Sequence, residues 1–183
     1  KWVISKLNNL IKEVAEELDN YNVTGAARAI EKFVIEDLSQ WYIRRSRRRF
    51  QRPERKRELK EVSETLGFAL SILSKMTAPF IPFLSENIYQ NILNSEFQIL
   101  GSVHLEHWPK VNKKSIDKKL EEKMEKIRET VARALAERAK AGIKVRQPLN
   151  ELRITNYELR REKELLELIK DEVNVKEISF DKT

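Results

Sequence analysis

The chain has 183 residues, 40% of them apolar and 36% charged, and carries a net charge of +7. That is enough for one domain, or one domain with a small appendage. Apolar residues recur periodically through most of the length, so a core can form and a disordered chain is excluded. Cysteine is absent and histidine occurs twice. This removes disulfide frameworks, thiol catalysis and thiolate metal sites together, and fits a reducing, cytoplasmic compartment. The longest apolar stretch, Met76 to Leu84, is interrupted by Thr77, Pro79 and Pro82 and falls short of the roughly 20 residues a membrane helix needs. Four glycines and five prolines leave little material for tight turns or phosphate-cradling loops, so helices should dominate. The chain opens at Lys1 without a signal-peptide pattern, and Trp2 already belongs to a helical stripe. The expectation is a fragment of a longer polypeptide.

Val3, Leu7, Leu10, Ile11, Val14, Leu18 and Tyr21 recur at three- and four-residue steps, which predicts a first helix from Trp2 to Asn20 with one buried face. Thr24 is the expected N-cap of a second, whose stripe reads Ala26, Ala29, Ile30, Phe33, Val34, Leu38, Trp41 and Tyr42 and should continue into a run of arginines. Pro53 suits the first turn of a third helix, buried through Leu59, Val62, Leu66, Ala69, Leu70 and Leu73 and closing near Met76. Pro79 and Pro82 then predict a bend from Thr77 to Phe83, packed with Phe80, Ile81 and Phe83. A fourth helix should open around Ser85 and carry Ile88, Tyr89, Ile92 and Leu93 on its apolar side. Periodicity is lost from Asn94 to Ser115. A long helix follows from Asp117, with Leu120, Met124, Ile127, Val131, Leu135 and Ala139 on one face, and stops at Gly142. Beyond it, Leu152 to Thr155 reads as strand, Tyr157 to Asp171 as helix and Val173 to Phe180 as strand. The expected architecture is mainly α: a helical bundle of about five long helices over residues 1–142, then a small β-α-β unit over 143–183 that must lean on other structure to be stable.

The charge is not spread evenly. Between Arg44 and Lys60, eight arginines and two lysines face only Glu54 and Glu58, a local charge of +8, so the rest of the chain carries −1. Such a footprint favours a polyanionic partner, and the planar arginine fork, which takes phosphate oxygens in pairs or stacks on a base, favours nucleic acid over an anionic membrane. The competing reading is a solvated helix face whose arginines pair with Glu54, Glu58 or the acids of the second helix. Trp41 and Tyr42 could stack on unpaired bases, but they continue the apolar stripe and are expected in the core. His104 and His107 resemble a short ligand pair, but no cysteine is available and only Glu106 is adjacent, whereas zinc wants three or four protein ligands. No glycine-rich phosphate loop, no serine and histidine at a recognisable spacing, and no carboxylate pair in an apolar setting is present, so no catalytic residue and no metal ligand is assigned. Lys144, Arg146 and Gln147 follow Gly142. They stand either to meet a phosphate or ribose of a partner or as a solvated connection fixed by Pro148.

The residues also carry a family resemblance. Asp19-Asn20-Tyr21, Ala26 to Ile30 and the run from Phe33 through Trp41-Tyr42-Ile43-Arg44-Arg45-Ser46-Arg47-Arg48-Arg49-Phe50 resemble the tRNA anticodon-binding domain of isoleucyl-tRNA synthetases. Thr77-Ala78-Pro79-Phe80-Ile81-Pro82-Phe83-Leu84-Ser85-Glu86-Asn87-Ile88-Tyr89 resembles the helix-bend-helix shared by the class Ia enzymes for isoleucine, valine and leucine, as does Val103 to Pro109. Gly142 to Leu149 and the unit after it point to the isoleucine enzymes. The resemblance implies a parent ligase, acting as a monomer, that uses ATP and Mg²⁺ to join isoleucine to tRNA(Ile) and edits valine elsewhere. The family's adenylate-forming motifs, of the His-Ile-Gly-His and Lys-Met-Ser-Lys-Ser types, are absent here, and Ser74-Lys75-Met76 is only a superficial echo. The fragment is then an RNA-binding module without chemistry of its own. Arg44, Arg45, Arg47, Arg48, Arg49 and Arg52 fall by analogy near the anticodon arm, with Arg55, Lys144 and Arg146 as further candidates. Alternatives are the equivalent domain of a valyl or leucyl relative, or a structural bundle docking on an acidic surface of the parent.

Overall fold

Helix α1, Trp2–Asp19, forms where the first apolar stripe predicts it, and Val3, Leu7, Leu10, Ile11 and Val14 are all buried. In the computed structural model, residues 1–93, 101–155 and 157–180 are described. The loop from Asn94 therefore lies partly outside the described residues. The stripe ends one turn early: Tyr21 is 92% exposed at a left-handed φ of 58°, where the chain reverses into the next helix. That helix is capped by Asn22 rather than Thr24. The Asn22 side chain accepts a hydrogen bond from the Gly25 N–H at 3.0 Å, so the helix begins one residue before the expected cap. A Cβ on residue 25 would collide with the Asn22 carboxamide, which is why glycine suits this first turn.

The second rod is continuous: α2, Val23–Lys32, runs into a π-helical segment, Phe33–Ile43, and then into α3, Arg44–Gln51. Most π-helix in proteins is a single-turn bulge, whereas this segment has 11 residues. Its wider turn stacks Phe33 above Leu38, both buried, turns Asp37 inward and leaves Val34 36% exposed. Asp37 is met there by Lys6 of α1 at 3.6 Å. The predicted stripe thus holds in Phe33, Leu38 and Trp41 and fails at Val34.

Helix α4 spans Lys56–Thr77. Pro53 lies before it rather than in its first turn, and Leu59, expected in the core, is 38% exposed. Pro82 opens α5, Pro82–Leu93, at the first helical position, where its missing N–H removes no helical bond. Helix α5 therefore starts three residues ahead of the expected Ser85. Ser85 is instead fully buried, its hydroxyl 2.8 Å from that of Thr77. Of the residues expected to pack the bend, Phe80 joins the core, whereas Ile81 is 45% and Phe83 91% exposed. In this bundle α1 packs on α2, the π segment and α4, while α4 packs on α5. Two buried polar side chains of α1 hold the irregular stretch that follows: the Asn8 carboxamide oxygen accepts from the Asn112 N–H at 2.7 Å and the Ser5 hydroxyl from the Asp117 N–H at 2.8 Å.

By contacts the chain divides into two compact units, Lys1–Asp117 and Lys118–Thr183. The second contains α6, Lys118–Lys140; β1, Leu149–Ile154; α7, Lys163–Val173; and β2, Val175–Phe180. The strands pair in parallel, Leu149 against Val175 through Ile154 against Phe180, with α7 as the crossover. The sequence division grouped α6 with the bundle. Here it packs on α7, and Met124, Ile127, Val131 and Ala134 of α6 are buried with Ile154, Ile169, Val173 and Val175. Two parallel strands bury too little alone, and a long helix within the same unit supplies the missing apolar face. Helix α6 ends as expected at Gly142, φ 69°. The fold class is thus mainly α with one small β-α-β unit.

Glu86 ties the described stretch after α5 back onto that helix. One carboxylate oxygen accepts from the Ser102 hydroxyl at 2.9 Å and the Val103 N–H at 2.8 Å, and the other from the Gln90 amide at 2.8 Å. These bonds, that from Gln90 foremost, hold the Glu86 carboxyl below its ordinary value of 4.5. An acid with a lowered folded-state pKa stabilises the fold at pH above its ordinary value and loses that contribution as pH falls through the lowered one. Hydrogen-exchange protection at the Val103 amide should therefore drop on acidification below 4.5, and Glu86→Gln should abolish that pH dependence. In denaturant titrations Leu7→Ala, at a site with 0% exposure, should lower stability by about 2–5 kcal/mol. Phe83→Ser, on the exposed first turn of α5, should stay within about 0.5 kcal/mol of the parent.

Candidate nucleic-acid interface

The arginines emerge where the second rod leaves the core. Trp41 is buried and Tyr42 half-buried, its hydroxyl donating to the Val62 carbonyl at 3.3 Å. Both aromatics are core residues, as their spacing predicts, and neither is placed as a base-stacking platform. In α3 only Ser46 is buried, so the arginines around it crowd the outer faces of the rod.

They are not equivalent. Arg48 pairs with Glu54 at 2.6 Å across the α3–α4 corner, and both side chains are largely exposed. Arg49 is half-buried and reaches α4, with Glu58 at 3.1 Å and Glu61 at 3.8 Å. Arg44 donates from Nε to the Gln40 carbonyl at 2.8 Å, and the Arg45 guanidinium lies over the Trp41 ring, 5.8 Å from its centroid. Arg57 is held by Glu61 at 2.8 Å. Arg47, Arg52 and Arg55 are exposed and, among the described residues, form no ion pair. Lys56, which sequence reasoning did not single out, shares that condition at the first residue of α4; its signal was only its place inside the basic run. Because Glu61 and Glu64 lean on cations of the run, counting from Arg44 through Glu64 lowers the local charge from +8 to +6. The patch is trimmed, not neutralised, and it stays open to solvent.

Lys144 and Arg146 belong to the second unit, in the turn between α6 and β1. Both are exposed without an ion pair among the described residues. His104 and His107 are exposed as well, while Glu106 between them is engaged by Lys75 at 2.7 Å. Burial, followed by the neighbouring Glu106 carboxylate, pushes the Tyr89 hydroxyl up to about 12. No described helix is long and apolar enough to cross a membrane.

An arginine-dominated patch at the end of a rigid rod can neutralise phosphates, and its planar forks can recognise them in pairs. Comparison with known proteins gives the same direction. A family described as the anticodon-binding domain of tRNA ligase matches residues 1–154. The chain is 41% identical over 181 residues to an isoleucine–tRNA ligase of Clostridium novyi, 40% over 182 residues to one of Thermus thermophilus and 38% over 181 residues to one of Pyrococcus furiosus. These alignments cover 97–98% of the chain but 17% of each relative.

The two kinds of arginine should separate experimentally. Arg49→Ala cuts the link between α3 and α4 and should lower stability by up to about 1 kcal/mol in denaturant titrations, the range of partly exposed ion pairs. Arg47→Ala removes no ion pair and should leave the midpoint unchanged.

Proposed function

Since the chain belongs to the family of anticodon-binding domains of tRNA ligases, we propose that it is the module by which an isoleucine–tRNA ligase holds the anticodon arm of tRNA(Ile). The observation that carries this reading is the solvent-open arginine patch at the end of the α2–α3 rod, in which Arg47, Arg52 and Arg55 keep their charge uncommitted among the described residues. These three, with Lys144 and Arg146, are the proposed primary phosphate contacts. Arg44 and Arg45 contribute from the base of the patch. Arg48 and Arg49 serve the α3–α4 corner first and the RNA second.

The names of the relatives, all isoleucine–tRNA ligases, and the Gly142–Leu149 segment support isoleucine as the amino acid. On this reading the parent protein is a cytoplasmic monomer that joins isoleucine to tRNA(Ile) at the expense of ATP with Mg²⁺. That chemistry lies outside this chain, to which no catalytic residue is assigned. The division of labour is physically reasonable. A helical bundle can reach a distant arm of a folded RNA, phosphate contacts give affinity, and unpaired bases give specificity.

Filter binding of labelled tRNA(Ile) to the full-length protein across a salt series tests the reading. Affinity should fall steeply with salt, and Arg47→Ala, Arg52→Ala and Arg55→Ala together should weaken binding and reduce the salt slope by about one per cation removed. Affinity independent of salt, or unchanged in the triple variant, would refute it.

A further inference from the structure

The turn after α6 is built around a buried cation. Arg138 is 4% exposed, although it sits on a helix whose neighbouring polar residues face solvent. Its Nη2 donates to the carbonyls of Lys144, at 2.7 Å, and Gln147, with Val145 at the margin at 3.4 Å. Its Nε and Nη1 are buried and, among the described residues, have no hydrogen-bond partner. Asn174, at a left-handed φ of 55°, reinforces the turn from the other side: its side-chain amide donates to the Val145 carbonyl at 2.9 Å, and its own carbonyl accepts from the Leu149 N–H at 3.1 Å. The turn closes on itself through the Gln147 N–H and the Lys144 carbonyl, 2.9 Å apart.

Among the described residues no carboxylate pairs with this guanidinium, and a cation buried so is a poor stabilising device, because the charge is desolvated and only part of its donor capacity is met. What the arrangement does deliver is geometry. Carbonyls that would otherwise point to water are drawn inward, and Lys144 and Arg146 are left outside on a fixed backbone. Holding a loop in its bound shape beforehand removes the ordering cost of association. We infer that Arg138 is a positioning residue, which sets the 143–148 turn in the shape that offers Lys144 and Arg146 to the phosphodiester backbone of the RNA. This rests on the RNA-binding reading above and adds to it a second contact, in the second unit, with the residue that builds it.

The test is a mutant cycle in the full-length protein, with tRNA(Ile) binding measured across a salt series. Lys144→Ala with Arg146→Ala should weaken binding about tenfold and lower the salt slope by about two. Arg138→Met, which removes no exposed charge, should do nearly the same. Adding it to the double variant should cause little further loss, and Arg138→Lys, which can still donate to the carbonyls, should recover most of the affinity. Asn174→Gly keeps the left-handed backbone but deletes the Val145 bond, and should give a smaller loss in the same direction. It decides the matter if Arg138→Met does not fold. Wild-type affinity and slope in Arg138→Met, or in Asn174→Gly when Arg138→Met is unfolded, overturn the inference. So does a fully multiplicative combined variant, or a double variant indistinguishable from wild type while the Arg47, Arg52 and Arg55 substitutions still weaken binding. Salt-insensitive binding by the wild type overturns the RNA-binding reading itself, and this inference with it.

Discussion

The apolar seam between α1 and the rod beside it is the contact on which the display of charge depends. Leu7, Ile11 and Val14 meet the buried face of Ala26, Ile30, Phe33 and Leu38, with Ala69, Leu73 and Met76 of α4 in the same cluster. Arginines repel one another, and a helix with so many of them within a few turns would not persist alone in water. It persists here because one face of the rod's first half, through Ala26, Ile30, Phe33 and Leu38, is buried and the helix runs on without a break from there into the arginine run. The π segment sets the phase of that exit, so that Ser46 faces inward, Arg45 and Arg49 lie half-buried, and Arg44, Arg47 and Arg48 face solvent.

Charge enters this fold in two roles. Some cations hold elements together: Lys6 meets the buried Asp37, Arg49 bridges to α4, and Arg138 draws in the turn after α6. Others are left open to solvent, and in a chain whose remaining surface is close to neutral they set the long-range field. An anionic partner is therefore steered toward one end of the rod. The carboxylates of α4 trim the patch and bias which arginines remain available.

Much of this was legible in the sequence because it follows from spacing and composition. The stripes of α1, α4 and α6 appear in most of their positions where period puts them, with Tyr21, Leu59 and Ala139 exposed at their ends, and so do the Gly142 stop, the strand-helix-strand order and the basic run. The family resemblance, carried by the arginine run and the Pro79–Pro82 bend, agrees with the family match over residues 1–154. The misses share a cause: local patterns do not report which neighbour a side chain will find. The π segment has no compositional mark, so Val34 was expected inside and Asp37 was not. Ser85 reads as a helix-opening residue, yet Pro82 opens the helix and Ser85 bonds Thr77 in the interior. Arg138 falls among the polar positions of α6, and only the turn folded over it shows why it is buried. Within the arginine run, sequence could not sort Arg48 and Arg49, held by Glu54, Glu58 and Glu61, from Arg47, Arg52 and Arg55.

Hydroxyl-radical footprinting of tRNA(Ile) bound to the full-length protein tests most directly whether the end of this rod is where the RNA sits. The expected pattern is protection of the anticodon-arm backbone that disappears when Arg47, Arg52 and Arg55 are replaced by alanine, while protection of the acceptor end persists. Protection of the anticodon arm that survives those replacements would place the contact elsewhere and contradict the assignment.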